Sequence, residues 1–259
     1  MSGPLQAIAA RWRTGGTWGA IHSAAFRLGF AIDPARVALW ALSLRPRFTI
    51  VQIGAFVGDT DNDPLHAFIA RHVVGKGAKA ARRVILVEPV REHFQKLERL
   101  YAGCKNVILE NVAVADRSGK RPMYRLGVDP VEHGFPAWLS QLSSLKGERM
   151  ESLWDSYEGI AEYKAFYLRH RVTEIVECVT LAGLLEKHGF KGLDFLQIDA
   201  EGFDYEIIKS IDFAATRPRF INYEYVLLGA DRAACRALLL EKGYGLLDQR
   251  QDTLAIRRG

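Results

Sequence analysis

At 259 residues, 49% hydrophobic and 25% charged, the chain can bury a sizeable core, which excludes a disordered or fibrous protein and suits one large α/β domain with an appendage. Its net charge of +5 is concentrated: residues 1 to 47 hold Arg11, Arg13, Arg27, Arg36, Arg45 and Arg47 against Asp33 alone, so the rest is nearly neutral and no nucleic-acid partner is expected. Cys104, Cys178 and Cys235 are odd in number and lack CxxC spacing, which argues against a disulfide framework or structural zinc and points to a reducing cytoplasm.

The first ten residues lack the charged and apolar runs of a secretory signal, and Val37 to Leu44 is too short to span a bilayer. Residues 1 to 46 read as helical pieces carrying Trp12, Trp18, Ile21, Phe26, Leu28, Leu39 and Trp40, interrupted by Gly15-Gly16 and Asp33-Pro34. Such a basic segment can cover the domain that follows, pair with another copy in a homo-oligomer, or lie on an anionic membrane surface. Residues 47 to 259 form that domain.

From Phe48 to Ile53 the residues predict a strand, followed by the glycine-punctuated turn Gly54 to Asp59. Asp63-Pro64 supplies a helix N-cap with proline at the first helical position, and Leu65, Phe68, Ile69 and Val73 form its buried face. A second strand, Arg83 to Val87, stops at Glu88-Pro89 and leads into a helix burying Val90, Phe94, Leu97 and Tyr101. A third, Val107 to Leu109, runs into Asn111 to Asp116. Strand and helix alternating in this way imply right-handed βαβ units and a parallel sheet.

Pro122 to Leu126 adds a short strand, after which residues 127 to 172 break the rhythm with glycine, proline, tryptophan and serine. A loop-rich insertion of that length suits a substrate-facing lid, with one helix expected at Glu158 to Tyr167. Order returns with a strand at Ile175 to Val179 and a helix at Leu181 to Lys187. Phe195 to Ile198 then ends in Asp199-Ala200-Glu201-Gly202, and Phe203, Ile207, Ile208 and Ile211 follow at helical spacing. Phe220 to Tyr225 is a fifth parallel strand, Arg232 to Lys242 a helix, and Gly243 to Asp248 with Thr253 to Ile256 a closing hairpin whose last strand is antiparallel.

Ligands of an open α/β sheet bind outside the carboxyl ends of its strands, so acids that begin where a strand stops are candidates for function. Asp199 and Glu201 meet that condition; Asp204 reads equally as a helix-start acid. Asp199, Glu201 and Asp204 are not expected to converge on a metal. In the first loop the position two after Gly54 is Phe56, where a dinucleotide fingerprint needs glycine, and Asp59, Asp61 and Asp63 crowd the place of a phosphate. A cationic cofactor without phosphates, S-adenosylmethionine, suits these residues, with Glu88 placed to accept from ribose hydroxyls. Methyl transfer to a hydroxyl also needs a base: Glu201 is the first candidate and His133, in the lid, the second.

Val51 to Asp59, Val87-Glu88-Pro89, Asn111 to Gly119, Ser143-Ser144-Leu145, Val179-Thr180-Leu181 and Asp199-Ala200-Glu201-Gly202, in this order, resemble the FkbM-type family of S-adenosylmethionine-dependent methyltransferases over residues 48 to 226. The resemblance implies a class I methyltransferase fold, Rossmann-like, with a seven-stranded, mostly parallel sheet and an antiparallel last strand, preceded here by the helical N-terminal extension. It implies that Gly54, Ala55 and Gly58 lie beside the cofactor, Glu88 on its ribose, Asn111 and Ala113 near its adenine, and Asp199 near its methionyl end, with a sugar or secondary-metabolite hydroxyl as acceptor. Two positions depart from the family pattern: Gln52 replaces an acid and Phe56 an asparagine. These departures leave room for a non-catalytic partner-binding protein on the same fold; a nicotinamide-dependent oxidoreductase is disfavoured by Phe56.

Overall fold

The structure, a computed structural model, describes residues 33–60, 63–75, 79–147, 161–249 and 251–259. The helical pieces expected before Asp33, and the first residues of the helix expected at Glu158, lie outside this set. Eleven described strands form two sheets. The larger takes β1 (Phe48–Ile53), β2 (Arg82–Val87), β3 (Val107–Glu110), β8 (Phe195–Ile198), β9 (Phe220–Glu224), β10 (Tyr244–Gln249) and β11 (Asp252–Arg257) in the spatial order β3-β2-β1-β8-β9-β11-β10. Every pair from β3 to β9 is parallel, and β11 runs antiparallel to both its neighbours. Strand order reverses between β1 and β8, and there the carboxyl ends of Ile53 and Ile198 lie in register.

Both faces of this sheet are covered, which is why its strands read as nearly continuous apolar runs. On one face Phe48, Ile50, Val84, Leu86, Phe195 and Phe220 pack against helices α1 (Pro34–Ser43), α2 (Pro64–Ile69) and α3 (Arg91–Leu100). On the other, Val51, Ile53, Ile85, Leu196, Ile198 and Ile221 meet α5 (Leu181–Lys187), α6 (Asp204–Lys209) and α7 (Asp231–Glu241); α4 is Ala161–His170. The described part of the N-terminal segment is therefore core rather than appendage: α1 buries Ala35, Ala38, Leu39 and Leu42. Burying Leu39 and Leu42 stabilises by about 1.5 to 3 kcal/mol each. Asp33 starts that helix by accepting from the Ala35 and Arg36 amides, and Asp63 does the same for α2 through Leu65.

The second sheet corrects the expectation of short strands flanking an irregular insertion. Its order is β4-β7-β5-β6, in which β5 (Gly119–Leu126) pairs antiparallel with β7 (Arg171–Val179) from Gly119↔Cys178 to Leu126↔Arg171. Both strands are longer than the sequence suggested because one face is half exposed, so polar residues alternate with Met123, Val176 and Cys178 and hide the run. The insertion thus ends at His170, not residue 172. Two short strands complete the sheet: Ala113–Val114 (β4) pairs with β7, and Ser143–Ser144 (β6) pairs with Tyr124 and Arg125 of β5.

Candidate active site

A cavity of about 250 Å³ opens at the carboxyl ends of β1, β2, β8 and β9 and the amino end of β11, at the point where strand order reverses. Its wall includes the acids Asp33, Asp63, Glu88, Asp199, Glu201, Glu224 and Asp252, and His93 is the one basic side chain type that lines it among the described residues; no Lys or Arg does. Val112, Ala113, Val114, Met123 and Phe56 provide its apolar surface.

The first loop is shaped by backbone contact. Gly54 and Ala55 both donate N–H bonds to the Val87 carbonyl, and Gly54 sits at φ +77°. A Cβ added at Gly54 would come within 1.9 Å of the Asp199 carbonyl oxygen, so this glycine lets the β1 and β8 turns touch. Gly58 stands outside the cavity wall; a Cβ there would meet Leu97 at 2.5 Å, which makes its role the packing of α3 against the loop. Phe56 occupies the left-handed region at φ 48°, a conformation that asparagine tolerates better than phenylalanine. Its N–H donates to Glu88 Oε2 at 2.8 Å and its ring meets His93 edge-on.

Glu88, 4% exposed, directly follows β2 with both carboxylate oxygens engaged, since Oε1 accepts from the Val90 amide at 2.8 Å. It therefore caps the turn into α3 and faces the cavity at once. A carboxylate has about four acceptor positions, so two remain for a ligand diol. Asn111 lies behind this turn, donating to the Glu88 and Pro89 carbonyls, and is not part of the wall; Ala113 is.

The acidic turn after β8 is strained as well. Glu201, a non-glycine, has φ 49°, and Gly202 follows at φ 85°. Such a residue persists only where its surroundings hold it, and cost on the order of 1 to 3 kcal/mol accompanies it. Here Ser144 Oγ, itself buried, donates to the Glu201 carbonyl at 2.8 Å and ties the small sheet to the turn. Asp204 is wholly buried, and its Oδ1 accepts from the Glu224 amide at 3.3 Å. It holds the ends of β8 and β9 together and takes no place in the wall.

Asp199, Glu201 and Glu224 have no hydrogen bond or ion pair to their carboxylates among the described residues. Burial, then the repulsion of neighbouring carboxylates, raises all three pKa values. Asp199 is open to water within the cavity while protein surrounds it on every side beyond that water, so depth in the fold rather than direct coverage of its atoms is the cause. His133 is not brought to these acids: it is exposed in the insertion, beside Phe166 and His170, outside the cavity wall. A base must lie within hydrogen-bond reach of its proton, so this position offers His133 no such role in this arrangement.

Four residues of the site were not singled out from sequence: Glu224, Asp252, Gln197 and Asn222. Glu224 carries the same signal as Asp199, an acid where a strand stops. The amides had no signal, because Gln52, Gln197 and Asn222 continue apolar faces of adjacent strands and become a row only once register is known. Asn222 Nδ2 donates to Gln197 Oε1 at 3.0 Å and to Asp252 Oδ2 at 3.1 Å, closing that row at its β11 end. No group of three or more His, Cys, Asp or Glu among the described residues is arranged to hold a metal ion.

A family model, the Methyltransferase FkbM domain, matches residues 52–246. Among solved structures, a methyltransferase FkbM from Methylobacillus flagellatus KT is similar at 14% identity and TM-score 0.44, covering 82% of this chain and 44% of that one. This chain therefore spans less than half of that relative's length. An O-methyltransferase from Bacillus cereus in complex with SAH is similar at 10% identity and TM-score 0.43, covering 88% and 82%. A putative O-methyltransferase from Klebsiella pneumoniae follows at 14% and 0.40, covering 96% and 100%. No curated protein matches the chain.

Proposed function

The chain belongs to the FkbM methyltransferase domain family, and from that premise we propose that it transfers a methyl group from S-adenosylmethionine to a hydroxyl of a small acceptor, a sugar or secondary metabolite. The observation that carries this reading is the cavity wall: carboxylates in number and, among the described residues, no Lys or Arg, at the switch point of the sheet. Such a wall suits a cofactor bearing a sulfonium and an ammonium and offers nothing to the pyrophosphate of a dinucleotide.

Bound there, the cofactor supplies an electrophilic methyl group for in-line displacement. Glu88 accepts from its ribose hydroxyls, and Ala113 with Val112 gives the adenine an apolar wall, while Asn111 holds the Glu88-Pro89 turn in place. Gly54, Ala55 and Asp199 line the path to the methionyl end. Glu201, on the strained turn, takes the acceptor proton. Burial and the neighbouring Asp199 and Asp204 raise its pKa, and the positive charge of a bound cofactor would favour the ionised form that acts as the base. Positioning of acceptor and methyl supplies most of the remaining acceleration.

We place the protein in the cytoplasm, in keeping with three unpaired cysteines; no helix among the described residues is long and apolar enough to cross a membrane. Homo-oligomer or membrane-surface contact through the segment before Asp33 rests on its arginines, outside the described residues. Titration calorimetry with S-adenosylmethionine, S-adenosylhomocysteine and NAD tests the proposal: binding of the first two and not the third is expected. Glu88→Ala should weaken S-adenosylhomocysteine by about 1 to 3 kcal/mol, the cost of leaving hydrogen-bonding groups unpaired; unchanged affinity would remove Glu88 from the cofactor.

A further inference from the structure

Gln52 stands where the family pattern has an acid, and the structure shows what it does instead. Only 6% exposed, it lines the cavity from the end of β1 and donates through Nε2 to Asp63 Oδ2 at 2.9 Å. Asp63 comes from the N-cap of α2 and lines the same wall; its Oδ1 accepts from the Leu65 amide at 2.7 Å. Both of those donors are neutral; His66 of α2 is a basic neighbour close enough to act on the carboxyl, and no Lys or Arg pairs with Asp63 among the described residues. An ionised carboxylate so enclosed is costly unless a cation meets it.

Position along the sheet narrows which cation. Strands lie about 4.8 Å apart, so a ligand whose ribose sits at Glu88 on β2 reaches β1 and then β8 with its other end. Gln52 and Gln197 are in register there, with Gly54 directly beyond Ile53. We propose that Asp63, held by Gln52, is the carboxylate that binds the ammonium of the cofactor's amino-acid end, taking over from the loop the task of the acid that β1 lacks. The inference rests on the cofactor reading above.

The test compares two ligands on the full chain. S-adenosylhomocysteine carries the ammonium and carboxylate; 5′-methylthioadenosine shares its adenosine and thioether and lacks both. Asp63→Asn keeps a good N-cap acceptor and nearly the same volume, so a retained melting temperature confirms that α2 still starts correctly. By calorimetry this variant should bind S-adenosylhomocysteine roughly tenfold more weakly or worse, with 5′-methylthioadenosine unchanged. Adding Gln52→Asp to Asp63→Asn should recover part of the loss, since the acid then returns to the strand. Equal weakening of both ligands, or of neither, overturns the proposal while leaving the cofactor reading intact. A wild-type protein that binds neither ligand overturns both.

Discussion

Acids at strand ends in two parts of the same sheet meet opposite fates. Glu110 ends β3 and is 8% exposed, yet Lys187 Nζ donates to it at 2.9 Å and His188 Nε2 shares its other oxygen. Burial alone would raise its pKa, but those partners outweigh it and hold the carboxyl below its ordinary range. Asp199, Glu201 and Glu224, at the ends of β8 and β9, have no such partner among the described residues, and their pKa values rise. An acid at a strand end is therefore a positional signal only. What separates a structural acid from a ligand-facing one is whether the fold supplies its cation or leaves that to a ligand.

The sharpest challenge to this contrast is Glu201→Gln. Turnover should fall by roughly 10² to 10⁴, the usual worth of general acid–base catalysis, with S-adenosylhomocysteine affinity retained; intact turnover would make Glu201 a turn residue and direct attention to Glu224. Gly54→Val comes next. A Cβ there would come within 1.9 Å of the Asp199 carbonyl oxygen, so the β1–β8 contact itself must open. Loss of about 3 kcal/mol of stability, read by denaturant unfolding, is the expected outcome.

Glu110→Gln probes the other side of the comparison. Removing a charge-assisted buried pair should cost about 1.5 to 3 kcal/mol and leave cofactor affinity alone, so a change in affinity would erase the distinction between the two regions. The smallest effect is in pH. For Asp199, Glu201 and Glu224 the folded pKa lies above the unfolded value of about 4, so the folded state holds more protons between the two and its stability falls as pH rises through that window. The melting temperature of the ligand-free protein should drop gradually from pH 5 toward 8, and Glu201→Gln with Glu224→Gln should flatten the slope.

The parallel strands and their helices were legible because both faces are buried: Leu65, Phe68, Ile69 and Val73, and Val90, Phe94, Leu97 and Tyr101, all lie in the core as read. The hairpin at the end was equally legible, since turn residues separate two apolar runs. The small sheet was not, because β5 and β7 bury one face and pair across the whole insertion. Within the site, Gly54, Ala55, Glu88, Ala113, Asp199 and Glu201 converge on one cavity, while Gly58, Asn111 and His133 stand outside its wall. Glycine and asparagine serve packing and turns as readily as ligands, and their letters do not say which. The amide row is invisible in one dimension, for it exists only across strands.

The ladder of the small sheet bears on how this chain can diversify. Residues 127 to 142 leave β5 at Leu126 and return at Ser143 beside Arg125, and the following excursion returns at Arg171 opposite Leu126. Both are closed loops on one fixed platform, and lengthening a closed loop is cheap, about 0.6 kcal/mol for each doubling. Meanwhile Ser144 clamps the turn that bears Glu201 from a point between the two loops. Residues can thus be gained, lost or exchanged in these excursions without shifting the strand-end carboxylates that Ser144 helps to hold.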